Sequence, residues 1–243
     1  MLRKFFPTLL LILGMLLQTS SVPILAMYLE PGGLFPTFIP TGTATIFPLT
    51  QVDLDGNGTP EILSLNGNRL SILSGGETVW KSPEAWQIVQ AAFSDLNRDG
   101  KSEVALLLWR PFHPWPVDRW LPNGGRIAEF HNTEGQSCHI ILIGWTRGGI
   151  HELWAGSAMA DPITSFAVAD LNGDNLQELV ALEGRYTDPM PRPEAPSRSA
   201  PARTLKVWEW NGFGFTVVSS IDGTFSKMIL VMAKYGHILI LVP

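Results

Sequence analysis

The feature that most constrains the fold of this 243-residue chain is a segment that occurs three times. The copies span residues 52–62, 94–104 and 169–179, and in each one the pattern Asp-x-(Asp/Asn)-x-(Asp/Asn) lies between two apolar stretches. Short apolar runs bounded by Asp, Asn and Gly are typical of strands joined by turns. An internal repeat indicates that one structural unit is used several times. Each copy therefore predicts a strand, an acidic loop and a second strand.

The rest of the chain also has the pattern of short strands, with little helical periodicity. After the first acidic loop, three short runs (61–65, 69–73 and 77–81) are separated by Gly- and Asn-containing turns, which predicts antiparallel hairpins. This pattern gives units of four strands, with the acidic loop always between the first and second strands. Four-stranded units repeated in this way are typical of β-propeller blades. The predicted fold is all-β, a propeller-like array of about three full blades plus a partial fourth, with an open or incomplete ring.

The chain divides into three predicted parts, which are residues 1–26, 27–42 and 43–243. The first is a signal peptide or an N-terminal membrane anchor, the second a linker or edge-completing segment, and the third the propeller domain. Closed propellers have about four to eight blades. Three alternatives would account for the missing half blade: residues 28–40 complete it, a homo-oligomer completes it, or the chain is truncated.

The amino terminus has the pattern of an export signal, in which two basic residues precede an apolar stretch. No charged residue lies between Lys4 and Glu30, and this span is long enough to cross a bilayer. Cleavage after Ala26 and an uncleaved membrane tether through residues 5–28 are therefore both open. In either case we expect the remainder to be secreted, periplasmic or exposed at the cell surface.

Composition argues against several classes of function. The net charge is −5 and the basic residues are scattered, so no nucleic-acid partner is expected. The single cysteine, Cys138, excludes an intramolecular disulfide and is interpreted as a buried structural thiol. The sequence shows no nucleophile elbow, zinc-binding His pair or phosphate loop, so an enzyme is not the favoured prediction. The alternative is a secreted propeller enzyme acting on polysaccharide, with Asp118 and Glu129 as an acid–base pair.

The acidic loops have the chemistry of a calcium site. A hard cation such as Ca²⁺ takes about six to eight oxygen ligands. Counting from the first Asp of each loop, positions 1, 3, 5 and 9 supply three carboxylates and one Asn amide, and position 7 supplies a backbone carbonyl. The predicted ligands are Asp53, Asp55, Asn57, Thr59 and Glu61; Asp95, Asn97, Asp99, Lys101 and Glu103; and Asp170, Asn172, Asp174, Leu176 and Glu178.

Two further features bear on the loops. Position 6 is Gly58, Gly100 or Asn175, residue types that tolerate the left-handed backbone region. The loops differ from an EF-hand, because position 12 is not Glu and the flanking segments are strand-like. The alternative interpretation is that Asp, Asn and Gly only form turns between strands.

The three loops, each between the first two strands of a four-stranded unit, resemble the FG-GAP/VCBS repeats of integrin alpha-subunit propellers and secreted bacterial proteins. The resemblance covers about residues 43–242, although the literal Phe-Gly and Gly-Ala-Pro signature is missing. It implies that the loops bind structural calcium on one face of a propeller and that other ligands bind on the opposite face. The expected function is an extracytoplasmic calcium-binding module for binding, adhesion or interaction.

Two long insertions, residues 111–136 and 187–202, are predicted on the face opposite the acidic loops. The second is rich in proline and should be extended. The first combines aromatic and polar groups suited to an unidentified protein or carbohydrate ligand. Alternatively, its tryptophans fold onto their own blade. The predicted ligand-binding residues are His113, Trp115, Arg119 and Trp120.

Overall fold

The computed structural model describes residues 25–37, 44–45, 49–113, 129–191, 200–233 and 236–242. In these ranges the chain forms β-strands and no helix, so the predicted all-β class is confirmed. The strands form four antiparallel sheets, three of four strands and one of five. Of the residues that are described, none belongs to a helix long and apolar enough to cross a membrane.

The first sheet has the order β4-β5-β6-β7. Its strands are β4 (Gln51–Val52), β5 (Glu61–Asn66), β6 (Arg69–Ser74) and β7 (Glu77–Lys81). Asn66 pairs with Arg69, so only two residues connect β5 to β6. Such a short hairpin needs a left-handed residue, and Gly67 has φ of 57°. The predicted series of hairpins is confirmed.

The second and third sheets repeat the same order of strands. The second contains β8 (Gln87–Ser94), β9 (Glu103–Pro111), β10 (Gln136–Thr146) and β11 (Gly149–Ala155). The third contains β12 (Ile163–Ala169), β13 (Glu178–Glu183), β14 (Ala202–Trp210) and β15 (Phe215–Phe225). In both sheets the long connection lies between the second and third strands, where the two insertions are predicted. Residues 114–128 and 192–199 of these connections lie outside the described ranges.

The fourth sheet joins the two ends of the chain. It contains β1 (Leu25–Glu30), β2 (Gly33–Thr37), β3 (Ala44–Thr45), β16 (Lys227–Ala233) and β17 (Gly236–Val242), in the order β2-β1-β17-β16-β3. The prediction of a partial fourth blade therefore needs correction, because β1 pairs with β17 and supplies the missing hydrogen-bonding edge. The N-terminal segment thus completes this sheet, as one of the three alternatives predicted, and the formation of a propeller ring stays a prediction.

Three hydrophobic clusters pack the sheets against one another in sequence order. The first lies between the first and second sheets and includes Ile72 and Leu106. The second lies between the second and third sheets and includes Leu107 and Ala181. The third lies between the third and fourth sheets and includes Leu29. Successive strand residues point to opposite faces, so the central strand β9 is buried almost throughout and contributes to two clusters.

The described strands also bear on the predicted N-terminal segments. Residues 25–28, the end of the predicted membrane tether, belong to β1, and Ala26 is buried. The predicted cleavage point after Ala26 thus lies within a paired strand. Residues 1–24 are outside the described ranges, so the choice between signal peptide and anchor stays a prediction.

A substitution at Leu29 tests whether the N-terminal strands belong to the folded unit. Leu29 is 6% exposed and packs in the third cluster, so we expect Leu29→Ala to lower the free energy of unfolding by roughly 2–5 kcal/mol. The neighbouring Glu30 is exposed, so Glu30→Ala should change the free energy of unfolding by less than about 0.5 kcal/mol. Urea unfolding of both variants measures this. Equal stability of the two variants would contradict the role of β1 in the core.

Candidate metal centres

The acidic loops occupy equivalent places in three sheets. Loop one (residues 53–60) joins β4 to β5, loop two (95–102) joins β8 to β9, and loop three (170–177) joins β12 to β13. Each connects the first and second strands of its sheet, as predicted. The neighbouring sheets pack face to face, so loops two and three lie side by side at one end of the second cluster.

The Asp at position 1 organises each loop by accepting hydrogen bonds from the backbone. Its Oδ1 accepts the amide of position 5 at 3.1, 3.1 and 3.2 Å in loops one, two and three. Its Oδ2 accepts the amide of position 6 at 2.8, 3.2 and 2.8 Å. Short Asp and Asn side chains commonly bond to the backbone a few residues ahead in this way. In all three loops, one carboxylate therefore holds the following five residues in a tight turn through hydrogen bonds from their backbone amides. These carboxylates are Asp53, Asp95 and Asp170.

The side chains at positions 3 and 5 continue the same pattern. The position 3 oxygen accepts the amide of position 5 at 2.9, 3.1 and 2.9 Å in the three loops. The position 5 oxygen accepts the amide of position 7 at 2.7, 2.9 and 2.8 Å. The predicted ligand side chains thus share one backbone scaffold. The backbone carbonyls at position 7 are also predicted metal ligands, and this assignment stays a prediction. They belong to Thr59, Lys101 and Leu176.

The curled backbone requires left-handed residues at two positions of each loop. At position 6, Gly58, Gly100 and Asn175 have φ of 89°, 79° and 65°, which agrees with the expectation from the sequence. A left-handed conformation at position 4 was not predicted from the sequence. There Gly56 and Gly173 have φ of 75° and 80°, and Arg98 has φ of 59°. Non-glycine residues avoid this region, so Arg98 is held there by its surroundings.

The Glu at position 9 ties each loop to the following strand. One of its oxygens accepts the position 2 amide at 2.7, 2.7 and 2.8 Å for Glu61, Glu103 and Glu178. All three residues are at most 1% exposed. A buried carboxylate is costly unless a counter-charge and further hydrogen bonds compensate it. The second oxygen of each Glu is therefore the informative atom.

The second oxygen is free in two loops and occupied in the third. Glu61 Oε1 and Glu103 Oε2 are buried and have no hydrogen-bond partner among the residues that the structure describes. Glu178 Oε1 instead lies 3.1 Å from Nη2 of Arg98, which reaches across from loop two. Loops one and two thus each keep a buried glutamate oxygen without a hydrogen-bond partner, whereas in loop three this oxygen faces a cation.

Loop one brings its carboxylates closest together. Ligand atoms of Asp53, Asp55 and Glu61 all lie within 4.8 Å of one another. In the described ranges this is the one group of three His, Cys, Asp or Glu side chains that meets this spacing. Loops two and three carry Asn at position 3, so their carboxylates occupy positions 1, 5 and 9 instead. Their donor sets include that Asn amide oxygen, which is also a suitable calcium ligand.

Burial dominates the electrostatics of Glu103 and Glu178. Burial raises the pKa of Glu103 to about 7, although the Leu96 amide opposes the change. Burial also raises the pKa of Glu178 to about 7, and nearby Asp174 adds to this effect. The amide of Gly58 is the main cause that lowers the pKa of Asp53. The ionised forms of Glu103 and Glu178 are thus poorly compensated, although Arg98 lowers the pKa of Glu178 in part.

The donor set fits a hard divalent cation. Every predicted side-chain ligand is a carboxylate or amide oxygen, and no His or Cys occurs in the loops. Such oxygen ligands suit calcium or magnesium, whereas zinc prefers nitrogen and sulfur. The two orphaned glutamate oxygens are atoms that such an ion would satisfy. The residues therefore fit the predicted metal, and its identity as calcium remains a prediction.

Two contacts between loops two and three were missed by sequence reasoning. The first is the Arg98–Glu178 ion pair, and the second is a hydrogen bond from the Asp95 amide to Oε1 of Gln177 at 2.7 Å. The available signal was the repeat alignment, in which Arg98 occupies the position that is Gly56 in loop one. That departure from glycine marks a side chain with a specific role.

The predicted ligand-binding residues of the first insertion are placed only in part. His113 is exposed, and its Nδ1 lies 2.9 Å from the carbonyl oxygen of Pro111. Trp115, Arg119 and Trp120 lie outside the described residues. The acid–base pair of the enzyme alternative cannot be placed either, because Asp118 is also outside them. These assignments stay predictions.

The interior of the second sheet contains a polar pair that the sequence did not reveal. Ser137 Oγ lies 2.8 Å from Nε2 of His139, and Nδ1 of the same ring lies 3.0 Å from the Gly156 carbonyl. Both side chains are buried, so these contacts serve to satisfy internal polar groups. Between them lies Cys138, which is buried as expected, and burial raises the pKa of its thiol to about 12.

In sequence comparisons, no family model matches this chain and no curated protein matches it. The resemblance to FG-GAP/VCBS repeats therefore depends on the loop motif and on its place between the first two strands of each sheet. The shared hydrogen-bond scaffold adds a structural reason to treat the three loops as repeats of one unit.

The buried histidine makes a testable contribution to the pH dependence of stability. Burial lowers the pKa of His139 from 6.5 to about 4. The unfolded chain therefore binds a proton at a higher pH than the folded chain, and the free energy of unfolding falls as the pH decreases from about 6.5 to 4. The upper limit is roughly 1.4 kcal/mol for each pH unit in this window.

His139→Asn removes the titrating ring and keeps a donor for the Gly156 carbonyl. We expect this variant to lose less stability than the wild type between pH 6.5 and 4, as measured by urea unfolding at several pH values. Parallel curves for the two proteins would show that His139 is not held neutral.

Proposed function

We propose that this protein is an extracytoplasmic calcium-binding module of the FG-GAP/VCBS type, in which ions in the acidic loops stabilise a scaffold for protein or carbohydrate recognition. The single observation that carries the metal assignment is the pair of buried, unpartnered oxygens of Glu61 and Glu103. An ion at these oxygens would supply the missing counter-charge. The function of the ion is then structural, because each loop joins two strands of one sheet.

The chemistry of the loops supports calcium over a catalytic metal. The carboxylates are already oriented by backbone amides before any ion binds, so the ligands lose little conformational freedom on binding. Calcium tolerates the irregular oxygen geometry of such loops, whereas magnesium requires a near-octahedral shell. The binding of calcium to the folded state alone would stabilise the protein by mass action.

The arrangement of sheets supports a four-bladed propeller as the scaffold. Each sheet packs on the next through one hydrophobic cluster, and the fourth sheet unites the chain ends through β1 and β17. Strand β3 pairs with β16 and directly precedes the first sheet. Closure of the ring would bring the fourth sheet against the outer face of the first, where Ile62 and Val79 are 45% and 42% exposed.

The proposed recognition surface lies at the end of the sheets opposite the acidic loops. The long connections after β9 and β13 leave the second and third sheets at that end, since the loops enter those strands at the other end. The strands from which the two connections start, β9 and β13, belong to adjacent sheets, which supports a shared surface. A surface built from long connections on a rigid sheet scaffold is a common arrangement for binding.

Thermal unfolding with calcium or a chelator tests the metal assignment. At calcium about 100 times its dissociation constant, one site adds about 2.7 kcal/mol to the free energy of unfolding. For a chain of this size, this raises the melting temperature by roughly 5–10 °C. Glu61→Gln keeps an acceptor for the Leu54 amide but removes the charge, so we expect a clearly smaller calcium-induced increase.

The matched control is Glu84→Gln, which removes the same charge from an exposed position after β7, at the end of the first sheet away from loop one. This variant should retain the full calcium response. If the wild type melts at the same temperature in calcium and in chelator, the loops are turns and the proposed metal function is wrong.

A further inference from the structure

We propose that Arg98 closes loop three in place of an ion, so that the chain binds two calcium ions, in loops one and two, rather than three. This inference rests on the proposed calcium-binding function. It assigns the number of ions to one side chain, which lies in loop two but acts on loop three. The sequence pattern alone predicts three equivalent sites.

The geometry distinguishes loop three from the other two. Both oxygens of Glu178 are engaged, one with the Leu171 amide at 2.8 Å and the other with Nη2 of Arg98 at 3.1 Å. Glu61 and Glu103 make the same amide contact but leave the second oxygen without a partner. The guanidinium therefore occupies the oxygen that corresponds to the one an ion would bind in loops one and two.

The energetics of the pair favour its retention over ion binding at Glu178. The side chains of Arg98 and Glu178 are 16% and 0% exposed, so the pair is largely removed from water. An ion at Glu178 would have to displace the guanidinium and leave a buried cation beside a divalent one. Separating a buried ion pair in this way is strongly unfavourable.

The backbone of loop two indicates that Arg98 occupies a position suited to glycine. Its φ of 59° matches the left-handed conformation of Gly56 and Gly173 at the same position of the other loops. Glycine adopts this conformation without strain, whereas arginine does so at a cost. The ion pair with Glu178 compensates that cost. Replacement of Arg98 by glycine should consequently preserve the loop while freeing Glu178.

Arg98→Gly is therefore expected to create a third calcium site. The experiment counts calcium ions bound to the full chain by isothermal titration calorimetry and by native mass spectrometry. We expect two ions for the wild type and three for Arg98→Gly. The expected gain of binding is hard to attribute to misfolding, and circular dichroism checks that the variant retains its strand content.

The control is Arg147→Gly, which also removes an arginine with positive φ, 52°, from the turn between β10 and β11. It makes the same changes in charge and backbone strain, and in the described part of the chain it forms no ion pair with an acidic loop, so its count should stay at two. Glu61→Gln in the wild-type background should reduce the count to one.

The outcomes separate this inference from the proposed function. Three ions in the wild type, or two in Arg98→Gly, would overturn the role of Arg98 while leaving calcium binding intact. No bound ion in any variant would overturn both. If Arg98→Gly fails to fold, Glu178→Gln tests the same point, because its count should stay at two when loop three holds no ion and would fall to one if loop three held one of the two.

Discussion

The hydrogen bond between the position 9 glutamate and the position 2 amide is the contact on which three of the four sheets depend. It fixes the end of the first strand against the start of the second, with donor–acceptor distances of 2.7–2.8 Å in all three loops. Because the glutamate is buried, its carboxylate is costly to keep in the fold unless hydrogen bonds and positive charge compensate it. The position 2 amide supplies part of that compensation in each loop. Loop geometry and the proposed metal affinity would thus have one physical origin.

The fourth sheet has no acidic loop, and its stability depends instead on covering the edges of its strands. Its strands β16 and β17 are apolar and would expose two hydrogen-bonding edges, a known risk for aggregation. Strands β1 and β3 cover those edges from the other end of the chain. Pairing of distant segments closes a long loop, which is slow to form but ties the chain ends together. The N-terminal strands are therefore part of the fold's core rather than a linker.

The repeat in the sequence predicted most of the local structure. Alternating apolar residues and Asp- or Gly-containing turns placed the strands around Glu61, Glu103 and Glu178, because short-range physics determines those hairpins. The pairing of β1 with β17 could be given only as one of three alternatives, since pairing over more than 200 residues leaves no local signal. The sequence also did not predict which buried glutamate is paired with a cation. Loops two and three have the same acidic pattern, and only the contact of Arg98 with its neighbour distinguishes them.

Under the proposed function, two ways of compensating a buried carboxylate would coexist at one end of this protein. An arginine provides a permanent charge that needs no ligand, but it fixes the geometry of loops two and three relative to each other. A bound ion would provide a stronger charge to loops one and two, and only when calcium is present. The arginine contact needs no ion, so it would hold the second and third sheets together whether or not the proposed ions are bound.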